Sequence, residues 1–164
     1  MTGIRTTQEL TGVYFSPVGN IVLTSDGTAL TGLRFAEATN ENPARDIPPL
    51  ADACRWLDLY FGGANPCFTP RLAPKGTPFQ LSVCGELLTI PYGQTVSYGY
   101  IAQRLRCRSA QAVGGAVGRN PIALIIPCHR VIGSDGHLTG YAYGLDRKQW
   151  LLSHEVLNST QIGH

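Results

Sequence analysis

Nothing in the opening residues Met-Thr-Gly-Ile-Arg-Thr-Thr-Gln-Glu-Leu has the apolar core of a secretion signal. No run anywhere in the chain approaches the ~18 apolar residues of a membrane-spanning helix. A soluble, cytoplasmic protein with no membrane partner is the expectation. Also missing is any Cys-x-x-Cys spacing. The five cysteines, at 54, 67, 84, 107 and 128, are odd in number and scattered, which argues against a disulfide framework or a zinc knuckle. A reducing compartment with at least one working thiol fits better, and no metal site is expected. An excess of one charge is lacking too. The net charge is +2, too small by itself to identify a nucleic-acid partner.

The distribution of charge says more than its sum. Residues 1–76 carry six Lys/Arg and seven Asp/Glu, whereas residues 77–164 carry seven and four. Arg104, Arg106, Arg108 and Arg119 crowd one short stretch, readable as a solvated surface or as a polyanion contact. At 164 residues the chain suits one or two small domains with real cores. The division expected is a scaffold with its linker at 1–75 and a second domain at 76–164.

In the first half, Val13-Tyr14-Phe15 and Ile21 to Thr24 flank Pro17-Val18-Gly19-Asn20, and Asp26-Gly27 turns the chain into Leu30 to Phe35, a pattern of antiparallel strands. Residues 36–49 read as a polar loop. Pro48 and Pro49 then open a helix whose apolar positions are Leu50, Ala53, Cys54, Leu57 and Phe61, ending at Gly62-Gly63. No catalytic group is evident in this α/β unit, and residues 64–76, with three prolines, read as a linker.

The second half is mostly helical. Thr77, Pro78 and Gln80 form a capping-box start, and Phe79, Val83, Leu87 and Ile90 make an apolar face. Ser97 caps a helix bearing Tyr98, Ile101, Ala102 and Leu105. After Arg106-Cys107-Arg108, Ser109 caps another over 110–117, so the pair forms a helix-turn-helix. That last helix, Ala-Gln-Ala-Val-Gly-Gly-Ala-Val, holds two adjacent glycines, each costing about 1 kcal/mol relative to alanine. Either it packs tightly on a neighbouring helix or something enters close to its backbone. Residues 131–138 read as a winglike hairpin with an Asp135-Gly136 turn. A final helix is expected from Asp146, capped by it, through Trp150, Leu151 and Leu152 to Glu155.

Between these lies Ile125-Ile126-Pro127-Cys128-His129-Arg130-Val131. Residues 124–126 suit a buried strand or core segment, which Pro127 ends because it lacks an N–H and fixes φ. Cys128 beside His129 reads either as a structural thiol followed by a loop histidine or as a nucleophile with its base. In a regular strand the two side chains would point to opposite faces, so cooperation requires irregular backbone or a bridging water.

The order of these blocks resembles the O6-alkylguanine-DNA alkyltransferases, the methylated-DNA–protein-cysteine methyltransferases. The resemblance rests on Thr77-Pro-Phe-Gln, Ile90-Pro-Tyr-Gly, Ser97-Tyr98, Ala112-Val-Gly-Gly-Ala, Arg119-Asn-Pro, Ile126-Pro-Cys-His-Arg-Val, Leu138-Thr-Gly-Tyr and Arg147-Lys-Gln-Trp-Leu-Leu, about half the chain. Ser16-Pro-Val-Gly and Leu59-Tyr-Phe-Gly extend it more weakly into the first half. It implies an α+β fold, a small N-terminal α/β domain followed by a winged helix-turn-helix domain. It also implies a single-turnover repair protein, monomeric without DNA and needing no cofactor, that flips O6-alkylguanine from duplex DNA and moves the alkyl group to Cys128. O4-alkylthymine is a further candidate substrate.

On the same resemblance, Glu155 would orient His129, and His129 would take the thiol proton through a water. Tyr98 would polarise the flipped base, and Asn120 would form the hinge before the cysteine. Pro127, Val131, Tyr141, Ala142 and Tyr143 would make the pocket. Ser97, Gln111, Ala112, Gly114, Gly115, Arg119 and Arg130 would meet the DNA. The zinc ligands of some relatives have no counterpart in the first 35 residues. An alkylated-DNA binding protein with weak or no transfer activity is the alternative, kept open by one departure. Where the family usually has an arginine to fill the hole left by the flipped base, this chain has Gln111. Cys84 replaces a common tryptophan, Ala142 lacks a hydroxyl some members carry, and Tyr143 replaces a frequent glycine. A Gln111→Arg variant should bind duplex DNA more tightly, measured by fluorescence anisotropy at fixed salt; unchanged affinity would remove any special role for the glutamine.

Overall fold

The computed structural model describes residues 9–37 and 47–162, the side chains of 160–162 excepted. Most of the N-terminal residues read for a signal and most of the loop expected at 36–49 lie outside the described residues. The three expected strands are present and longer: β1 (Leu10–Ser16), β2 (Gly19–Ser25) and β3 (Leu30–Ala36), antiparallel in that order. Ser16 pairs with Gly19 across Pro17-Val18, and the glycine takes φ 121°, which the tight reversal requires. The alternation Ile21, Leu23 opposite Phe35, Leu33 gives one buried face. On it lies α1 (Pro48–Phe61), which buries Leu50, Ala53, Cys54 and Leu57 as its spacing requires, and also Trp56 and Tyr60.

The edge of β3 is where the two halves join. Residues 64–76 do not hang free: Leu30 donates to the Arg71 carbonyl at 2.8 Å, and Ala73 donates back to Leu30 at 2.8 Å. Further along, Leu33 and the segment after α4 exchange bonds in the same way, Leu33 N to Pro121 O and Ala123 N to Leu33 O, both 3.0 Å. Backbone groups that an edge strand would leave open are thereby satisfied from within the chain. One apolar core runs continuously from Ile21 and Leu33 to Val113, Ile122 and Leu151.

The second half begins with α2 (Pro78–Leu87). Its capping box is complete: Gln80 N donates to Thr77 Oγ1 at 3.1 Å, and Thr77 N donates to Gln80 Oε1 at 3.0 Å. After β4 (Val96–Ser97) come α3 (Tyr98–Arg104) and α4 (Ala110–Gly118), capped by Ser97 and Ser109 and separated by a turn in which Arg106 takes φ 55°. This is the expected helix-turn-helix. Residues 122–126 are a buried core segment and not a strand, with Leu124 at φ 69°. A 3₁₀ turn, Cys128–Arg130, follows and leads to β5 (Val131–Ile132).

Two expectations need correction. The hairpin wing over 131–138 is not formed, because β5 pairs in parallel with β4, placing Val131 against Val96. Val131 is wholly buried, whereas residues 134–137 are exposed and have no face to pack, so only the Asp135-Gly136 turn survives. The last helix, α5 (Leu145–Ile162), begins earlier than expected. Asp146 sits within its first turn, where a carboxylate suits the helix dipole, instead of capping it. The architecture is α+β. Replacing Leu33, wholly buried at the junction, by Ala should lower the unfolding free energy by about 2–5 kcal/mol in urea titration.

Candidate active site

The presentation of Cys128 begins at Asn120, immediately after α4. Its buried side chain accepts from Ile122 N at 3.0 Å and donates to Ile126 O at 2.7 Å, clamping the segment between. Cys128 N then bonds Ile126 O at 2.8 Å, and the chain enters its 3₁₀ turn. The turn removes the strand alternation that would send Cys128 and His129 to opposite faces. Cys128 is 6% exposed and lines a cavity of about 280 Å³ with Tyr98, Gly114, Val117, Gly118, Asn120, Gly140, Tyr141, Ala142 and Tyr143.

Behind the thiol, Glu155 of α5 is buried and accepts four hydrogen bonds. Its Oε2 takes His129 Nε2 at 2.5 Å and the Tyr60 hydroxyl at 2.7 Å. Its Oε1 takes Arg130 Nε at 2.7 Å and the backbone N–H of Gly93 at 3.1 Å. Burial opposes the charged carboxylate, but His129 and Arg130 outweigh that penalty and hold its pKa well below the usual range. Burial pushes the His129 pKa down against the pull of Glu155, so the neutral imidazole is favoured. With Nε2 on the carboxylate, Nδ1 is the ring atom free for proton transfer; it bonds no other protein atom.

Burial raises the Cys128 pKa, while the Asn120 side chain and the Lys148 ammonium act the other way. Lys148 is wholly buried and donates to the carbonyls of Thr139 (2.9 Å) and Gly140 (3.2 Å), with its own pKa lowered by burial. The Thr139 carbonyl also receives the Tyr98 hydroxyl at 3.1 Å, so α3 and α5 together fix the 139–140 rim of the cavity. Tyr143 packs edge-on to Phe35 of β3 at 5.2 Å, and Arg147 ties the same rim to the Val18 carbonyl at 2.7 Å. A thiol so enclosed stays protonated until a base takes its proton, which makes the anchored imidazole the chemically relevant neighbour.

The cavity opens onto the helix-turn-helix face. Tyr98, Gly114 and Gly140 also border an open groove lined by Gly99, Ala110, Gln111, Ser134 and Thr139. Gly114 and Gly118 of α4 border this opening, and none of the α4 glycines is demanded by tight helix packing. A Cβ at Gly115 or Gly118 would meet nothing within 4 Å, and one at Gly114 would only touch the Tyr98 ring at 3.8 Å.

Thus Cys128, His129, Glu155, Asn120 and Tyr98 come together, as do Tyr141, Ala142 and Tyr143. Pro127 and Val131 do not line the cavity; both are buried behind the turn, Val131 held in its strand pair. Gln111, Ala112, Gly115 and Arg119 are exposed along α4 and its end, with Gly114 half-buried beside them. Ser97 spends its hydroxyl accepting from Tyr100 N at 3.0 Å. Arg130 is misplaced in the expected surface: it is 7% exposed, bonded to Glu155 and, at 2.7 Å, to Ile90 O, with Tyr92 beneath it. The buried carboxylate draws it inward. Tyr60, Gly93 and Lys148 were not foreseen. Tyr60 alone carried a signal, a phenol sharing the buried helical stripe of Ala53 and Leu57, where a hydroxyl needs a partner.

Comparison with known proteins agrees along nearly the whole chain. Residues 78–157 match the family model described as 6-O-methylguanine DNA methyltransferase, DNA binding domain, and residues 10–74 match the same family's ribonuclease-like domain. The chain is 44% identical over 149 residues to a methylated-DNA–protein-cysteine methyltransferase of Methanosarcina acetivorans, covering 87% of this chain and 96% of that protein. It is 46% identical over 156 residues to the protein of that name from Mycobacterium leprae, covering 90% and 94%. The Mycobacterium tuberculosis OGT solved in complex with DNA superposes with a TM-score of 0.81 at 44% identity, covering 90% of this chain and 93% of that one.

Arg130→Met should cost about 3–5 kcal/mol of stability at pH 7 by leaving Glu155 short of a charged partner. Glu155 has a depressed folded pKa, so its stabilising contribution is present above the unfolded carboxylate value and fades as pH falls. The gap between variant and wild type in urea unfolding should therefore narrow below about pH 4.3.

Proposed function

This chain belongs to the 6-O-methylguanine DNA methyltransferase family, and on that premise we propose that it repairs DNA by direct reversal, moving the O6-alkyl group of a flipped guanine to Cys128. The observation that carries the reading is a single reactive-type thiol at the wall of a cavity, opening beneath a helix-turn-helix and backed by a carboxylate-anchored imidazole.

The chemistry follows from the geometry. His129 Nδ1 takes the thiol proton through a water, and the imidazolium is supported by Glu155. The Cys128 sulfur forms a bond to the alkyl carbon as the bond from that carbon to O6 breaks, and its electron pair returns to the guanine. Guanine takes up one proton, matched by the one the imidazolium gives back, so guanine leaves uncharged and His129 returns to its neutral form. Tyr98 lowers the barrier by turning its hydroxyl from the Thr139 carbonyl to the base, polarising the leaving group. The thioether has no route back to thiol, so each molecule acts once and needs no cofactor.

Backbone-close contact suits a protein that must search any sequence. Ala112, Gly114 and Gly115 leave the α4 backbone approachable, Gln111 offers an amide to the hole left by the flipped base, and Arg119 is a phosphate partner. Base extrusion costs a few kcal/mol, less where alkylation has already weakened pairing. We assign residues 76–164 the binding and acceptor roles, with 1–75 supporting them, and propose a monomer in the absence of DNA. We place it in the cytoplasm, associated with the nucleoid if the cell is prokaryotic. Among the described residues no helix is long and apolar enough to cross a membrane.

Incubation with duplex DNA bearing one O6-methylguanine should add one methyl group, mapped by peptide mass to Cys128, with a yield that stops at one per protein. Cys128→Ser should abolish it. A retained gel shift with unmodified Cys128 in the wild type would favour the binding-only alternative, and repeated turnover would point to a hydrolase.

A further inference from the structure

We propose that Tyr60, on α1 in the first half, is a positioning residue for the transfer reaction, its hydroxyl tuning the basicity of His129 through the shared oxygen of Glu155. The proposal rests on the assignment of Cys128, His129 and Glu155 above. Tyr60 is wholly buried, and its Oη donates at 2.7 Å to the same Oε2 that holds His129 Nε2. The ring is wedged in place, stacked on Trp56 at 5.2 Å and set edge-on to Phe61 at 5.2 Å and Tyr92 at 6.1 Å. A phenylalanine would fill that space equally well. The hydroxyl adds only one thing there, a donor to the carboxylate, and burying it would otherwise be a penalty.

A donor on Oε2 draws off part of the charge that would stabilise a protonated His129. The charged groups acting on the imidazole are Glu155 and Lys148 from α5 and Arg130 from its own turn; Tyr92, from the segment after α2, packs against Arg130 and Tyr60. Lys148 and Arg130 oppose protonation and Glu155 favours it, so Tyr60 moderates the one group that pulls the imidazole toward its charged form. Its own ionisation lies well above the ordinary range, because of burial and then Glu155, so it remains a neutral donor throughout. Transfer needs neutral His129 and is lost as pH falls through its pKa. Removing the Tyr60 hydroxyl raises that pKa, and the acid limb moves to higher pH.

The test is the single-turnover rate of methyl transfer from O6-methylguanine duplex against pH for wild type, Tyr60→Phe and Trp56→Phe. Tyr60→Phe should lose about three- to tenfold more rate at pH 6 than at pH 8.5. Trp56→Phe, which disturbs the same packing without touching Glu155, should lose equally at both. If Tyr60→Phe folds poorly, fluorotyrosine at position 60 keeps the shape and strengthens the donor, and should move the acid limb to lower pH. Limbs that coincide with wild type in either Tyr60 variant overturn the proposal while leaving the transferase reading intact. A wild type that leaves Cys128 unmethylated overturns both.

Discussion

The structure depends on one buried carboxylate. Glu155 sits near the middle of α5 with each oxygen accepting two hydrogen bonds, from His129 and Tyr60 on one side and from Arg130 and Gly93 on the other. An isolated charge at that depth would be costly; four donors, one of them a permanent cation, make it tolerable. Because those donors come from α1, the loop after α2 and the turn carrying Cys128, the compensation that permits the charge also fixes four parts of the chain relative to one another. The same four bonds hold the fold together here and set the site.

A second constraint acts on the other side of Cys128. The cavity lies where α4 presents Gly114 and Gly118 beside Tyr98, and Tyr98 and Lys148 share the Thr139 carbonyl at its rim, Lys148 reaching the Gly140 carbonyl as well. Its remaining wall is braced by the first half, through Tyr143 on Phe35 and Arg147 on the turn between β1 and β2. The first half is therefore more than an inert scaffold. It closes the edge of β3 against residues 121–123 and contributes a hydroxyl to the buried carboxylate. The departures at Gln111, Ala142 and Tyr143 lie on the exposed opening or the rim, where they alter access and DNA contact and leave the network behind the thiol untouched.

Much of this was legible from local chemistry. Pro48-Pro49, the Thr77 box, and Ser97 and Ser109 announce helix starts because the groups that cap a helix lie within three residues of one another. The short apolar runs with turn residues between them announce antiparallel strands for the same reason. Cys128, His129, Asn120 and Tyr98 could be named because the motif blocks carrying them resemble a known family. What failed had a common character. The wing was expected from an Asp-Gly turn and flanking residues, yet Val131 found a better partner in Val96, 35 positions upstream. Arg130 is a DNA contact on the resemblance, but a carboxylate 25 residues further on draws it inside.

The sequence by itself determined the periodicities, the caps, the lone candidate thiol and its neighbouring base, since each is written within a few residues. Only the tertiary structure decided which groups share the carboxylate. Tyr60 and Glu155 are 95 positions apart, and no local pattern records that a phenol on one helix and an acid on another will meet. Their meeting is dictated by burial: once the core closes, every polar group inside it must find a partner, and the partner is chosen by proximity in space and not along the chain.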